Sequence, residues 1–336
     1  MKLSDINIKD LINHQKGSLE HALLVISGLN RVGIIEYNLK INGLHNVFKD
    51  HLKQKTDVRL SGFEKAYMIH EFLWSNNSER YNSNVTLDKV VDAELAGEQV
   101  GNCLGLTSLY AVMLERENIR SEIVVTNNHV LSRLRSRKRT VNIETTSKSG
   151  YASVHHLDKS SVPSYCLVAA VLNDLAKDLE ESKNRKQAIE YNTIALMIWP
   201  EFVNALAARA MLYSNRDEMS LAEKDYTALI TVEPNEAVSH YNRGVIRMNM
   251  GKYRTALPDF RTAAILVPEC SKYHSTKAEA EFKCNNYKQA AQDATKAIRL
   301  DKKNKDAYWV RSMARQHLGD TKGKLADHSK YVALSN

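Results

Sequence analysis

Apolar residues recur three and four positions apart through most of the chain, the spacing of helices with one buried face. In the first hundred residues the strongest such runs are Leu19–Leu29, Phe63–Trp74 and Leu87–Ala96. In the second of these, Tyr67, Ile69, Phe72 and Leu73 fall near one face, and Asn76-Asn77-Ser78 breaks the pattern. Tyr81–Val85 reads as loop or short extended structure. Another helix is predicted from Cys103, carrying Leu104, Leu106, Leu109, Tyr110, Met113 and Leu114 and stopping at Glu117-Asn118. The period then shortens to two. Ser121–Val125, His129–Leu134 and Thr140–Thr145 are predicted strands, the last two joined by a basic turn. Helices followed by a small antiparallel sheet indicate an α+β domain.

From about residue 166 the pattern repeats. Ala188, Ala222, Ala256 and Ala290 are 34 residues apart, as are Pro200, Pro234 and Pro268, and Asp225, Asp259, Asp293 and Asp327. That period, with a small residue mid-repeat and a closing proline, resembles the tetratricopeptide repeat (TPR). Four segments show it well and a fifth is plausible: 169–202, 203–236, 237–270, 271–304 and 305–336. In 237–270 the first helix carries Tyr241, Gly244, Val245 and Ile246, and Gly251-Lys252 makes the turn. The second helix carries Ala256, Leu257, Phe260, Ala263, Ala264 and Leu266 and ends at Pro268. Gly244 and Ala256 let the two helices approach. Each pair leaves an apolar face for the next to bury, which predicts an all-α solenoid. In the last repeat Lys324 stands where alanine is expected, and Lys302 precedes it where proline is expected, as suits a capping repeat. The resemblance implies a protein or peptide partner in the groove of the first helices, where Tyr241, Asn242, Ser275 and Trp309 fall. No regular Lys/Asn set for clamping a carboxylate is visible.

Composition narrows the class. At 336 residues, 43% hydrophobic and 26% charged, the chain suits a two-domain, mostly helical globular protein. No apolar run is long enough to span a membrane, and the first residues lack the apolar core of a secretory signal. The cysteines, 103, 166, 270 and 284, form no CxxC pair, so a reducing cytoplasm is expected and neither a disulfide framework nor structural zinc. The net charge is +8, and Arg133, Arg135, Arg137, Lys138 and Arg139 lie within seven residues. Such a run can attract nucleic acid. Aromatic residues are not interleaved with it, so a solvated hairpin tip is the preferred reading.

Candidate chemistry centres on Gly101-Asn102-Cys103-Leu104-Gly105. A thiol at a helix N-terminus feels the positive end of the backbone dipole, which lowers its pKa. An imidazole can hold the thiolate and later protonate a leaving amine, given an acid to orient it. His129 and Glu144 suit these roles. With a turn centred between Ser136 and Arg137, paired positions sum to 273, which sets His129 directly opposite Glu144. The pairing depends on that turn, because a one-residue slip breaks it. Gln99 is a weak candidate oxyanion donor and Asn142 a reserve orienting residue. His155-His156 has no third ligand, so no metal is expected.

The segments GNCLGLTSLY and HVLSRLRSRKRTVNIETT resemble the transglutaminase-like core, a rearranged relative of papain-type proteases, and in particular its bacterial form followed by TPRs. The match covers roughly 60–150. It implies a nucleophile at Cys103, a general acid/base at His129 and an orienting acid at Glu144. Glutamate stands there where the superfamily more often has aspartate. The expected organisation is a transglutaminase-like domain over 1–165 and a TPR solenoid of four to five repeats over 166–336. The expected function is a cytoplasmic thiol-dependent amide hydrolase or acyl transferase, needing no cofactor, whose repeats recruit a protein partner. The alternative is a non-catalytic TPR adaptor with a degenerate transglutaminase-like domain.

Overall fold

A computed structural model describes residues 18–75, 86–98, 101–125, 129–136, 139–146 and 161–335. Contacts divide the chain into two compact units, 1–202 and 203–336.

The described residues of the first unit open with five helices: α1 (Leu19–Ile26), α2 (Arg31–Lys55), α3 (Gly62–Ser75), α4 (Leu87–Ala96) and α5 (Cys103–Arg116). Side-chain caps start four of them. Ser61 Oγ accepts from Glu64 N at 3.3 Å ahead of α3. Ser18 Oγ accepts from His21 N, Asn30 Oδ1 from Gly33 N, and Asn102 Oδ1 from both Leu104 N and Gly105 N. Helix α5 is the centre of the unit. Every residue from Leu104 to Leu114 is buried, as expected of a helix packed on all sides. Tyr110, fully enclosed, donates its hydroxyl proton to the Ala66 carbonyl of α3 at 2.9 Å. At the far end of α5, Arg116 forks onto Glu20 through two 2.7 Å bonds, and Glu115 accepts the Leu19 N–H at 3.1 Å. Helix α1 is thereby clasped to residues 96 positions further along the chain. The 25-residue α2 was not singled out by pattern, because only Ile41, Leu44, His45 and Phe48 are buried while Val32, Ile35 and Leu39 face outward.

Four strands follow: β1 (Glu122–Val125), β2 (Val130–Arg135), β3 (Thr140–Ile143) and β4 (Val162–Pro163). They form one antiparallel sheet in the order β3-β2-β1-β4. The β2–β3 register corrects the expected pairing. Ser132 faces Ile143 and Leu134 faces Val141, so paired positions sum to 275 and not 273. Ser136 N–H donates to the Arg139 carbonyl at 2.8 Å, which closes the turn one residue later than assumed. The displacement is two residues along one strand, so every side chain keeps its face.

The first unit ends with a helix pair, α6 (Cys166–Glu181) and α7 (Arg185–Ile198), tied by buried Asn173 Nδ2 donating to Asn192 Oδ1 at 2.8 Å. The second unit contains four such pairs: α8 (Val203–Ser214) with α9 (Met219–Val232), α10 (Ala237–Asn249) with α11 (Tyr253–Leu266), α12 (Ser271–Lys283) with α13 (Tyr287–Leu300), and α14 (Lys305–His317) with α15 (Thr321–Ser335). These are TPR-like helix pairs stacked as a solenoid. Its core repeats Ala222, Ala256 and Ala290, all fully enclosed. The turns repeat as well. Lys183, Asp217, Gly251, Asn285 and Gly319, each 34 residues apart, have φ between 60° and 77°. Glycine and the small polar residues tolerate that backbone well.

A second series runs at the same period. Arg209 pairs with Asp225, Arg243 with Asp259, Lys277 with Asp293 and Arg311 with Asp327, at 2.6–3.1 Å. Each base lies on the first helix of a repeat, and each acid lies 16 residues on, buried on the second helix. The acids were visible in the sequence periodicity; their basic partners were not. Arg243 and Arg311 also donate to Thr227 and Thr295 of the preceding repeat, both at 3.2 Å. The pairs thus bind each repeat internally and stitch it to its neighbour.

Candidate functional site

Cys103 begins α5, while His129 and Glu144 lie just beyond the paired ends of β2 and β3. In the observed register His129 and Glu144 are diagonal neighbours on one face, and the long carboxylate reaches His129 Nε2. The other Glu144 oxygen accepts from Thr146 N at 2.9 Å and from Thr146 Oγ1. Around them, Thr107 of α5 bonds the Thr145 hydroxyl at 2.9 Å, and Trp74 Nε1 donates to the Thr145 carbonyl at 3.3 Å. The hairpin end is therefore fixed to α3 and α5.

The surroundings of the thiol act on balance against its ionisation. Burial pushes the Cys103 pKa up, and the negative charges of Glu144 and Asp174 push it the same way. Hydrogen bonds from the Val130 and Leu104 backbone act in the opposite direction without reversing the shift. The amides that open α5 already serve the Asn102 side chain. A nucleophilic cysteine needs its thiolate favoured near neutral pH. The burial-raised pKa runs opposite to the helix-dipole activation on which the expected thiol hydrolase or acyl transferase rested, and that expectation is withdrawn. The helix dipole was legible in the sequence; desolvation and the acid facing the thiol were not.

The remaining candidates fall as follows. Asn142 is engaged elsewhere, its Oδ1 accepting from buried Arg133 Nε at 2.7 Å, so it does not orient His129. Gln99, Arg137, Lys138 and the His155-His156 pair lie outside the described residues. Arg135 bonds Glu122 and Ser161, both at 2.8 Å, and Arg139 lies over the Phe63 ring at 5.6 Å. The described arginines of the basic run are thus committed to the sheet and its neighbours. Among the described residues no group of three or more His, Cys, Asp or Glu side chains is placed to hold a metal ion. A cavity of about 480 Å³ opens between α3 and the hairpin, lined by Phe63, Tyr67, Met68, Leu134, Arg139 and Val141.

In the repeats, Tyr241 is mainly a packing residue, stacked on Tyr273 at 4.9 Å and tilted against Phe260 at 5.9 Å. Asn242 hydrogen-bonds Tyr226. Trp309 packs edge-on against Phe282 at 6.4 Å, and Ser275 is buried, bonding the Lys272 carbonyl at 3.1 Å. Along α10, Val238 and Asn249 are exposed, while Asn242 and Val245 are half-buried, Val245 against the Ala256–Phe260 core. A feature that pattern reading missed lies between α13 and α14. There an open depression of about 320 Å³ is lined by Lys288, Ala291, Arg299, Arg311, Arg315 and Leu318, among others. In the sequence it is marked by Lys288, Arg299, Arg311 and Arg315.

No described helix is long and apolar enough to cross a membrane. No family model matches the chain. Among curated proteins it is similar to the DnaJ homolog subfamily C member 7 homolog of Dictyostelium discoideum, 28% identical over 165 residues. The match takes in 46% of this chain and 29% of the relative, so the chain spans less than a third of that protein. Among solved structures it is similar to MamA from Desulfovibrio magneticus RS-1, at 14% identity and TM-score 0.47, covering 50% of this chain and 94% of MamA. It is also similar to PilF of Pseudomonas aeruginosa, at 18% identity and TM-score 0.43, covering 49% of this chain and 75% of PilF. A tetratricopeptide repeat protein from Parabacteroides merdae gives 22% identity and TM-score 0.44, covering 51% of this chain and 66% of that one. At these levels the assignment of TPR-like helix pairs rests on the chain's own period and packing.

Proposed function

We propose that the protein is a non-catalytic adaptor that binds a protein or peptide partner through its repeats. The observation that carries the reading is the stack of helix pairs in the second unit. Its first helices are held by the buried base–acid pairs and present exposed positions such as Val238 and Asn249. A rigid scaffold with such a surface suits recognition of an extended segment. The fully packed α5 and the raised Cys103 pKa support a structural role for the first unit. Its helix-borne cysteine and its His129–Glu144 pair support reading it as a degenerate transglutaminase-like core. We keep the domain boundary near residue 165, because α6 and α7 have the helix lengths and the left-handed turn residue of the repeats. The four free cysteines are in keeping with a cytoplasmic protein.

A photo-crosslinking residue at Val238, compared with one at exposed Ile265 on α11, tests the reading. The expected result in cells is a discrete adduct from position 238 that is absent from 265 and unchanged by Cys103→Ala. Absence of any discrete adduct from 238, or its loss on Cys103→Ala, overturns it.

A further inference from the structure

Leu134 and Val141, paired across β2 and β3, both line the cavity beside α3. Ile143 lies on the same face of the hairpin, two residues on from Val141. Phe63, Tyr67 and Met68 of α3 close the opposite side. Leu134 and Ile143 are buried and form the floor. Phe63, Met68 and Val141 are only half-buried and Tyr67 is exposed, so water meets the apolar walls in the chain by itself. At about 480 Å³ the space falls within the range of small-molecule sites. It adjoins the first turns of α3 and the closed end of the hairpin. Trp74, in the last turn of α3, meets Thr145 at the hairpin's other end, beside Glu144. The cavity is therefore separate from Cys103 and from the His129–Glu144 pair.

Among the described residues two charged side chains line the cavity, and they are used differently. Glu64 serves its own helix. Its Oε2 accepts the Ser61 N–H at 2.7 Å while Ser61 Oγ accepts the Glu64 N–H at 3.3 Å, a reciprocal cap at the positive end of α3. The hydrogen bonds from Ser61 hold its carboxyl below the usual carboxylate range. Arg139, immediately before β3, has no such employment. Its guanidinium lies over the Phe63 ring at 5.6 Å, and among the described residues no carboxylate lies within ion-pair distance of it. The other described arginines of the basic run differ in this respect. Arg135 is held by Glu122 at 2.8 Å, and Arg133 donates to Asn142 at 2.7 Å. An arginine resting on an aromatic ring keeps planar N–H donors that match a carboxylate.

We propose that this cavity binds a small carboxylic acid with an aromatic or aliphatic body, its carboxylate on Arg139 and its body against Phe63, Tyr67, Leu134 and Val141. Covering the wetted apolar walls supplies affinity, and the charge-assisted bond to the guanidinium supplies selectivity for an acid over its amide. The site is independent of the adaptor reading, because the repeats contribute none of its residues.

Calorimetric titration of the full chain with 4-phenylbutyrate and with octanoate tests the site, with 4-phenylbutanamide as the uncharged counterpart. The expected result is saturable binding of at least one acid, and binding of the amide that is weaker by about tenfold. Arg139→Gln should bring the acid down to the level of the amide and leave the amide close to unchanged. Arg139→Glu should turn the preference toward 4-phenylbutylamine. Val141→Phe fills the cavity and should abolish binding of acid and amide alike, while the melting temperature of the unliganded chain stays level or rises. The Arg139 variants alter only an exposed side chain, so the test does not depend on Val141→Phe folding. No saturable binding of either acid by the parent overturns the site. Equal binding of acid and amide does the same, since it marks an apolar cleft without preference for an anion, and so does acid binding that Arg139→Gln leaves unchanged. None of these outcomes bears on the adduct expected from position 238, so the adaptor reading stands or falls separately.

Discussion

Gly244 leaves no room for a side chain. A β-carbon there would lie 2.7 Å from Phe260 Cε1, and Phe260 is completely enclosed. Gly244→Ala is therefore expected to destabilise the second unit by about 1–3 kcal/mol despite alanine's better helix propensity. Thermal unfolding would show this, and Phe260→Leu in the same chain should recover part of the loss. No change in melting temperature would mean that the two helices can separate freely. The close approach was legible in the sequence from the small residues Gly244 and Ala256, while the filling of that space by Phe260 was not. Cys103 was legible only in part. Its position at a helix start can be read from Asn102 and the apolar run, but its acidity depends on burial and on Glu144. Those are set by residues 41 positions away in the chain.

Among the elements, the buried base–acid pairs set the strongest expectation. Asp259 is almost wholly enclosed and takes a forked pair of bonds from Arg243 and another from Arg247. Asp259→Asn leaves the Arg243 guanidinium without its counter-charge, while Arg247 keeps Glu223. The expected cost is about 3–5 kcal/mol, the range for breaking a buried pair. The double change Arg243→Met/Asp259→Leu should cost less than Asp259→Asn alone, since no charge is then stranded. Denaturant unfolding decides it, and additive costs would contradict the coupling. The aspartates announced themselves by period alone. Their partners were hidden because lysine serves in one repeat and arginine in three. The β2–β3 hairpin shows a different limit. Its strands and faces follow from alternation, while its register hangs on turn geometry, and the assumed turn was one residue early. The long α2 escaped notice because several of its apolar residues point outward, which blurs the period a buried face would give.

At the scale of the whole molecule, several groups are buried in neutral form. Burial pushes Cys166 up to about 12 and raises Cys103, Tyr226 and Tyr273 above their ordinary values. Below the ordinary thiol range both folded and unfolded chains keep these protons, and the stabilisation is complete. As pH rises through that range the unfolded chain ionises first, and the advantage of the folded state is lost by the folded pKa. Stability should thus decline from about pH 9 toward about 12, the span set by Cys166. Urea midpoints measured across that range test it, and Cys166→Ala should flatten the decline. A midpoint that does not move with pH would show that these groups are hydrated in the folded chain. The sequence predicts a change from a mixed region to a repeat array near residue 166, whereas contacts divide the chain after residue 202. The sequence could not reveal which acids and thiols would be shut away from water.

The clasp between α1 and the end of α5 has a consequence for how the chain is made. A ribosome adds roughly 5–20 residues each second. Helix α1 emerges well ahead of its anchors, Glu115 and Arg116, which arrive 96 residues later. For on the order of ten seconds its apolar residues Leu19, Leu23 and Leu24 are left waiting for their partner, a window in which a chaperone can hold them. The repeats face no such delay, because each base meets its acid after only 16 further residues. The nascent chain is therefore most exposed to misfolding between the synthesis of α1 and that of α5, whereas each repeat closes almost as fast as it is synthesised.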